Sequence, residues 1–240
     1  MTDKDIHNNT AMLVIDMQKE SKYGIDGMQE AVDAAEQLID ACRSLSIPII
    51  YTRHVGRADG RGLVKNDVLD SEGKPVFYRS DTPDLQVIDQ IKPRLDDVVI
   101  DKYRWSGFYE TPLDLLLRTE RIETLIVVGF VTDGCVLTTV FDAFARNYDI
   151  VLVKDACAAT NSGAHKSAVL TMGNWVYGIE IIDSNEMLKK LEGSPYASWT
   201  SSAPDLLAHS SDKLDECYAS LSGEFKGVSG EFKGVESDGR

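Results

Sequence analysis

Long hydrophobic runs are missing from this chain. None approaches the roughly 20 apolar residues that a bilayer-crossing helix needs, so a soluble protein is expected. Cysteine is sparse and scattered: Cys42, Cys135, Cys157 and Cys217 lie far apart, with no Cys-x-x-Cys pair. That excludes a disulfide framework and a cysteine-built zinc site. Positive charge is in deficit, with 25 Lys and Arg against 39 Asp and Glu, a net charge of -14. Nucleic acid and anionic membranes are bound by clustered cations, so neither is expected as a partner. The opening stretch "MTDKDIHNNT" is polar and unlike a secretory signal, and a reducing cytoplasm is the expected location.

What is present is a repeated alternation. Apolar, β-branched runs recur at 11–16, 48–53, 97–101, 124–130, 149–155 and 179–183. Runs that do not alternate with polar residues belong to strands buried on both faces. Between them, residues 27–45 carry apolar positions at three- and four-residue spacing, and weaker versions follow at 84–92, 111–119, 134–147, 163–174 and 185–191. The order βαβα with right-handed crossovers predicts an α/β fold, a three-layer αβα sandwich around a parallel, doubly wound sheet of about six strands.

Two regions break the alternation. Residues 54–83 are rich in Gly, Asp and Arg without periodicity, and a loop this long in a compact domain predicts a lid or binding segment. The chain therefore divides into a domain over 1–194 and a Ser-rich extension over 195–240, read as mostly appendage with a short helix near 212–221. The extension carries a near-duplication, "GEFKGVS" at 223–229 and "GEFKGVE" at 230–236, too short for a repeat array.

In an open parallel sheet, ligands bind outside the carboxyl ends of the strands. Three of the predicted strands end on groups with complementary chemistry: Asp16 in "LVIDMQ", Lys102 in "VVIDKYRWSGF" and Cys135 in "GFVTDGCV". A thiol gains nucleophilicity when a helix start or a nearby cation lowers its pKa, and a carboxylate can relay its proton. Backbone N–H groups at a strand-to-helix break can hold an oxyanion. Taken singly, each residue has a plain structural reading: a packed thiol, a helix cap, a surface amine. Their shared edge favours a cysteine hydrolase working without a catalytic histidine. Cys42 reads as packing, Cys157 as structural.

With "LVIDMQ", "DKYRWSGFYETPLDLLLR", "VVGFVTDGCVLTTVFDAF" and "VLVKDACAAT" in this order, residues 10–192 resemble the isochorismatase-like cysteine hydrolases. The resemblance implies a catalytic triad of Asp16, Lys102 and Cys135. It also implies a cis Phe130–Val131 bond that turns the N–H of Val131 toward that of Cys135 to form an oxyanion hole. Members with nicotinamidase activity carry a metal site after the second strand; here "YTRHVGRADGRG" offers His54 alone, so no metal and no cofactor is expected.

The segment after Lys102 is similar to that of ureidoacrylate and N-carbamoylsarcosine amidohydrolases, which implies hydrolysis of a C–N bond in a small amide or ureido substrate. Gln18, Arg53, His54, Trp105, Phe108, Tyr109 and Phe130 are the expected substrate-binding residues. Arg57 and Arg61 join Arg53 as candidates for gripping a substrate carboxylate. The family assembles as dimers or tetramers, so a homodimer or homotetramer is implied. Two alternatives remain open at this stage: vinyl-ether hydrolysis with an idle thiol, and a redox-sensing member with Cys157 as resolving thiol.

Overall fold

A computed structural model describes residues 9–20, 24–207 and 210–221. The strands are β1 (Thr10–Ile15), β2 (Ile49–His54), β3 (Val98–Lys102), β4 (Thr124–Phe130), β5 (Asp149–Ala158), β6 (Glu180–Ile182) and β7 (Trp199–Thr200). The helices are α1 (Met28–Ser44), α2 (Leu113–Thr119), α3 (Leu137–Ala145), α4 (Ser162–Trp175), α5 (Ser184–Leu191) and α6 (Leu214–Ser220). The strands form one sheet in the order β3-β2-β1-β4-β5-β6-β7, parallel except for the β6–β7 pair.

The uninterrupted apolar runs follow from the sheet being covered twice. Along β1, Ala11, Leu13 and Ile15 pack toward α2, α3 and α4, while Met12 and Val14 pack toward α1 and α5. Along β4, Leu125 and Val127 take the first face and Ile126, Val128 and Phe130 the second. Each such side chain contributes about 1.5–3 kcal/mol on full burial, so a polar residue on either face of these strands loses more than its place. Helix α1 buries Ala31, Val32, Ala35, Leu38, Ile39 and Cys42, a single stripe at helical spacing. Glu30 in its first turn and Arg43 in its last suit the helix dipole.

The order of strands reverses between β1 and β4, and the two run in close register there, with Ile15 opposite Gly129. Gly129 has φ 139°, and a Cβ at that position would sit 2.2 Å from the carbonyl oxygen of Ile15. Only glycine lets the two strands meet at the switch point.

Three expectations need correction. The segment 84–92 is not an α-helix but two single 3₁₀ turns, Pro83–Leu85 and Asp89–Ile91, because Gln86 and Ile88 between them are extended and Val87 bridges to Gln18. The helix expected from 134 starts instead at Leu137, after one π-helical turn over Thr132–Val136. The sheet has seven strands rather than six, and the seventh comes from the segment read as an appendage.

That segment is joined to the core by packing and by hydrogen bonds. Trp199 pairs with Ile181 and is 8% exposed, while Leu207 and Leu221 are 5% and 0% exposed. The buried Asn174 side chain accepts from the Leu207 N–H at 2.8 Å. Helix α6 lies on α4, with Lys166 paired to Asp215 at 2.6 Å and Tyr218 Oη 2.6 Å from His165 Nε2. The short helix expected near 212–221 is present, and the duplication at 223–236 lies outside the described residues.

Candidate active site

Four adjacent strands each deliver one side chain to the same point. Asp16 follows β1, His54 ends β2, Lys102 ends β3, and Cys135 follows β4 in the π-helical turn. The register places His54 beside Lys102, and the Asp16 N–H donates to Thr52 O at 3.1 Å. Asp16 adopts φ 50°, an uncommon conformation for a residue with a side chain, which Asp tolerates better than most. Backbone strain of this kind concentrates at functional sites, and here it falls on the acid.

The Lys102 ammonium is fully buried and uses all three of its protons. It lies 2.5 Å from Asp16 Oδ2 and donates to Cys135 Sγ at 3.3 Å and to Arg104 O at 3.1 Å. Asp16 Oδ1 accepts from Thr52 Oγ1 at 2.7 Å. A buried ion pair depends on the groups that satisfy its remaining lone pairs and protons; here Thr52 serves Oδ1, while Oδ2 has only its ion pair with Lys102 among the described residues. Burial alone would depress the Lys102 pKa, but the Asp16 carboxylate outweighs it and holds the amine charged.

The thiol departs from the sequence-based expectation. Burial raises the Cys135 pKa well above the ordinary value, Asp16 raises it further, and Lys102 only partly offsets them. The resting group is a thiol, not a thiolate. A lowered pKa is favoured by solvent or net positive charge around sulfur, and Cys135 has a carboxylate oxygen within 4.8 Å as well as its cation at 3.3 Å.

His54 completes the cluster. A ring nitrogen of His54, a carboxylate oxygen of Asp16 and the Cys135 sulfur lie within 4.8 Å of one another. Desolvation, then the Lys102 charge, push the imidazole down to about 4, so it is neutral at physiological pH. Its Nδ1 has no hydrogen-bond partner among the described residues. These three atoms are metal-ligand types, but the ammonium already stands against two of them, and like charge disfavours a second cation there.

His54 and Cys135 of the cluster line a cavity of about 1160 Å³, at the large end for small-molecule sites, with Asp16 and Lys102 buried behind them. The loop 54–83 supplies one wall, through Val64, Asp67, Val68 and Tyr78 among others, as its length led one to expect. Trp105 and Tyr109 stand on another wall, 65% and 49% exposed. Thr138, Phe141 and Asp142 come from α3, spaced to share the face of Cys135; that spacing was legible in the sequence but went unused.

Four expected substrate contacts lie elsewhere. Gln18 is buried as a tie between loops: it donates to His54 O and Leu85 O and accepts from the His54 N–H at 2.8 Å. Arg53 points across the sheet edge to Asp101, with Nε and an Nη each 2.7 Å from Oδ1. Phe108 turns into the core, 4% exposed and stacked on Tyr148 at 5.8 Å. Phe130 is 1% exposed on the face of the sheet covered by α1. The Phe130–Val131 bond is cis, as the resemblance implied, and Val131 lines the cavity beside Cys135.

A sheet of this order with a thiol, a carboxylate and a buried ammonium at its switch point defines a hydrolase of the cysteine-dependent α/β kind. Residues 10–186 match the Isochorismatase domain, and the chain belongs to that family. It is 28% identical over 171 residues to a ureidoacrylate amidohydrolase of Acinetobacter baylyi, covering 62% of this chain and 70% of that one. It is 29% identical over 188 residues to the N-carbamoylsarcosine amidase of an Arthrobacter species, covering 74% and 70%. Among solved structures, an isochorismatase family protein from Desulfovibrio vulgaris superposes with a TM-score of 0.71 at 28% identity, over 77% of this chain and 99% of that one.

Proposed function

We propose that the chain is a cysteine-dependent amidohydrolase that cleaves a non-peptide C–N bond, amide or carbamoyl, in a small molecule. The observation that carries the reading is the double engagement of Lys102, which contacts Asp16 and Cys135 at once behind the cavity that Cys135 lines. The amidohydrolase names of the two relatives support the same bond type.

In this mechanism Asp16 takes the proton from Cys135 as the sulfur attacks the carbonyl carbon. The raised thiol pKa makes that transfer part of the reaction rather than a resting condition. Lys102 stays charged and stabilises the sulfur anion as it develops. The backbone N–H groups of Val131 and Cys135 stabilise the oxyanion. Asp16 returns the proton to the departing nitrogen, leaving a thioester on Cys135. A water deprotonated by Asp16 then attacks the thioester, releasing the acid and restoring the thiol. A carbamoyl group leaves as carbamate, which breaks down to carbon dioxide and ammonia. Neutral His54, with its open Nδ1, is suited to hold that water. Trp105 and Tyr109 flank the substrate.

The same reading assigns the protein to the cytoplasm, where four unpaired cysteines are at home, and to a homodimer or homotetramer, checked by light scattering. Its central test is ammonia release from a panel of amides and N-carbamoyl compounds. The wild-type enzyme is expected to turn over a member of the panel, with the Cys135→Ala variant at least about 10³-fold slower. Activity that survives Cys135→Ala would overturn the reading and leave ether hydrolysis in its place. The redox alternative has little support in the geometry, since burial pushes the thiol of Cys157 up to about 12.

A further inference from the structure

The charges that line the cavity speak to the substrate. Three arginines near the end of β2 were the expected carboxylate grip, and none of them lines the cavity. Arg53 is held by Asp101, and Arg57 by Asp59, with Nε to Oδ1 at 2.9 Å and Nη2 to Oδ2 at 2.5 Å. The lining does include Arg104, whose Nη1 donates to Gly62 O at 2.8 Å and Tyr103 O at 2.6 Å.

Against that single guanidinium stand three carboxylates, Asp67, Asp133 and Asp142. Asp142 is balanced by Arg146, 3.2 Å away, and Asp16, buried behind Cys135, is balanced by Lys102. Asp133 is exposed and Asp67 half-buried, and together they outnumber Arg104 and leave the walls with an excess of negative charge. Much of the remaining lining is apolar or aromatic, including Trp105, Tyr109, Tyr103 and Phe141. Ring faces and carboxylates together attract a cation and repel an anion.

We infer that this cavity takes amides or carbamoyl compounds with an apolar or aromatic body and a positive charge, and that it rejects carboxylate-bearing ones. The inference rests on the amidohydrolase reading for its reactive bond, and on the walls alone for its charge. It separates this chain from relatives named for the carboxylates ureidoacrylate and N-carbamoylsarcosine. The volume suits a ring-sized body better than a short acyclic acid, and a ring against Trp105 and Tyr109 would share the cavity with Cys135.

Two measurements test it. The first compares kcat/KM for ammonia release from 4-(aminomethyl)benzamide, benzamide and 4-carbamoylbenzoate, which share a ring and an amide and differ in charge. The cationic amide is expected to exceed the anionic one by about tenfold or more. That ratio should narrow in the Asp67→Asn, Asp133→Asn double variant and in 1 M salt. The second reads the walls without turnover. Cys135 is modified by the trimethylammonium-ethyl or the sulfonato-ethyl methanethiosulfonate, each forming a mixed disulfide and releasing methanesulfinate, and the Cys135 peptide is followed by mass spectrometry.

Faster modification by the cationic reagent, with the preference reduced in the double variant, supports the inference. Equal rates, or a preference for the anion in either measurement, overturn it. If neither the benzamides nor any other member of the amide and N-carbamoyl panel is hydrolysed while the thiol still favours the cationic reagent, the charge selection stands and the hydrolase reading fails.

Discussion

Lys102 Nζ lies 3.3 Å from Cys135 Sγ, although the two residues are 33 positions apart and leave different strands. Between β3 and β4 in the sheet stand β2 and β1, so the pair closes over two strands and draws Asp16 in between. This ammonium touches both the acid and the thiol, and its removal has the sharpest predicted effect. Lys102→Met strands the Asp16 carboxylate in the interior, at a cost of about 3–5 kcal/mol. Urea denaturation should show that loss, and ammonia release should fall by at least about 10³-fold. Lys102→Arg should not rescue activity, because a planar guanidinium cannot replace a compact ammonium with three divergent protons.

Trp105 and Phe108 are three residues apart and separate binding from stability. Trp105 stands exposed on the cavity wall, so Trp105→Ala should raise KM while leaving the unfolding free energy within about 0.5 kcal/mol of wild type. Phe108 is packed on Tyr148 with Arg146 over its ring, so Phe108→Ala should cost about 3–5 kcal/mol. Steady-state kinetics and thermal melts on the two variants check the crossing. Equal effects on both readouts would contradict the placement of these side chains.

His54 and His165 are both held neutral, each with a pKa lowered to about 4 by desolvation first and neighbouring lysines second. In the unfolded chain each titrates near 6.5. Between these values the unfolded state binds more protons, so stability is complete above about 6.5 and is lost as pH falls toward 4. The loss is on the order of 1 kcal/mol per pH unit for each histidine. Urea midpoints from pH 7.5 to 4.5 should fall accordingly, and His165→Gln should flatten the slope. A midpoint independent of pH over this range would rule out buried neutral imidazoles.

Trp199 and Tyr218 fix the C-terminal segment by different means. Trp199→Ala leaves a cavity against Ile181 and Gly173 and should cost about 3–5 kcal/mol. Tyr218→Phe removes only the hydroxyl beside His165 and should cost about 1 kcal/mol. If the segment were an appendage, neither substitution would move the melting temperature.

The layers of the fold were readable because both faces of the sheet are covered, which turns strands into unbroken apolar runs; 124–130 was matched residue for residue by β4. Asp16, Lys102 and Cys135 were readable because strand ends are where a parallel sheet exposes functional groups. Trp199 was not. It sits in a two-residue strand among Ser, Pro and Gly, and no periodicity can be read from two residues. The error at 84–92 has a related cause, since a helical spacing of apolar residues does not overrule the extended backbone at Gln86 and Ile88.

By itself, then, the sequence determined which residues face a core, where strands end and which reactive groups those ends carry, since each depends on local pattern and residue chemistry. Tertiary structure decided what surrounds those groups. Burial and a facing carboxylate keep Cys135 a thiol, partners across the sheet take Arg53 and Gln18 out of the site, and a loop and a π-helical turn far apart in sequence bring Asp67 and Asp133 to one cavity. Desolvation and pairing act through space, and the chain order of these residues does not encode their distances.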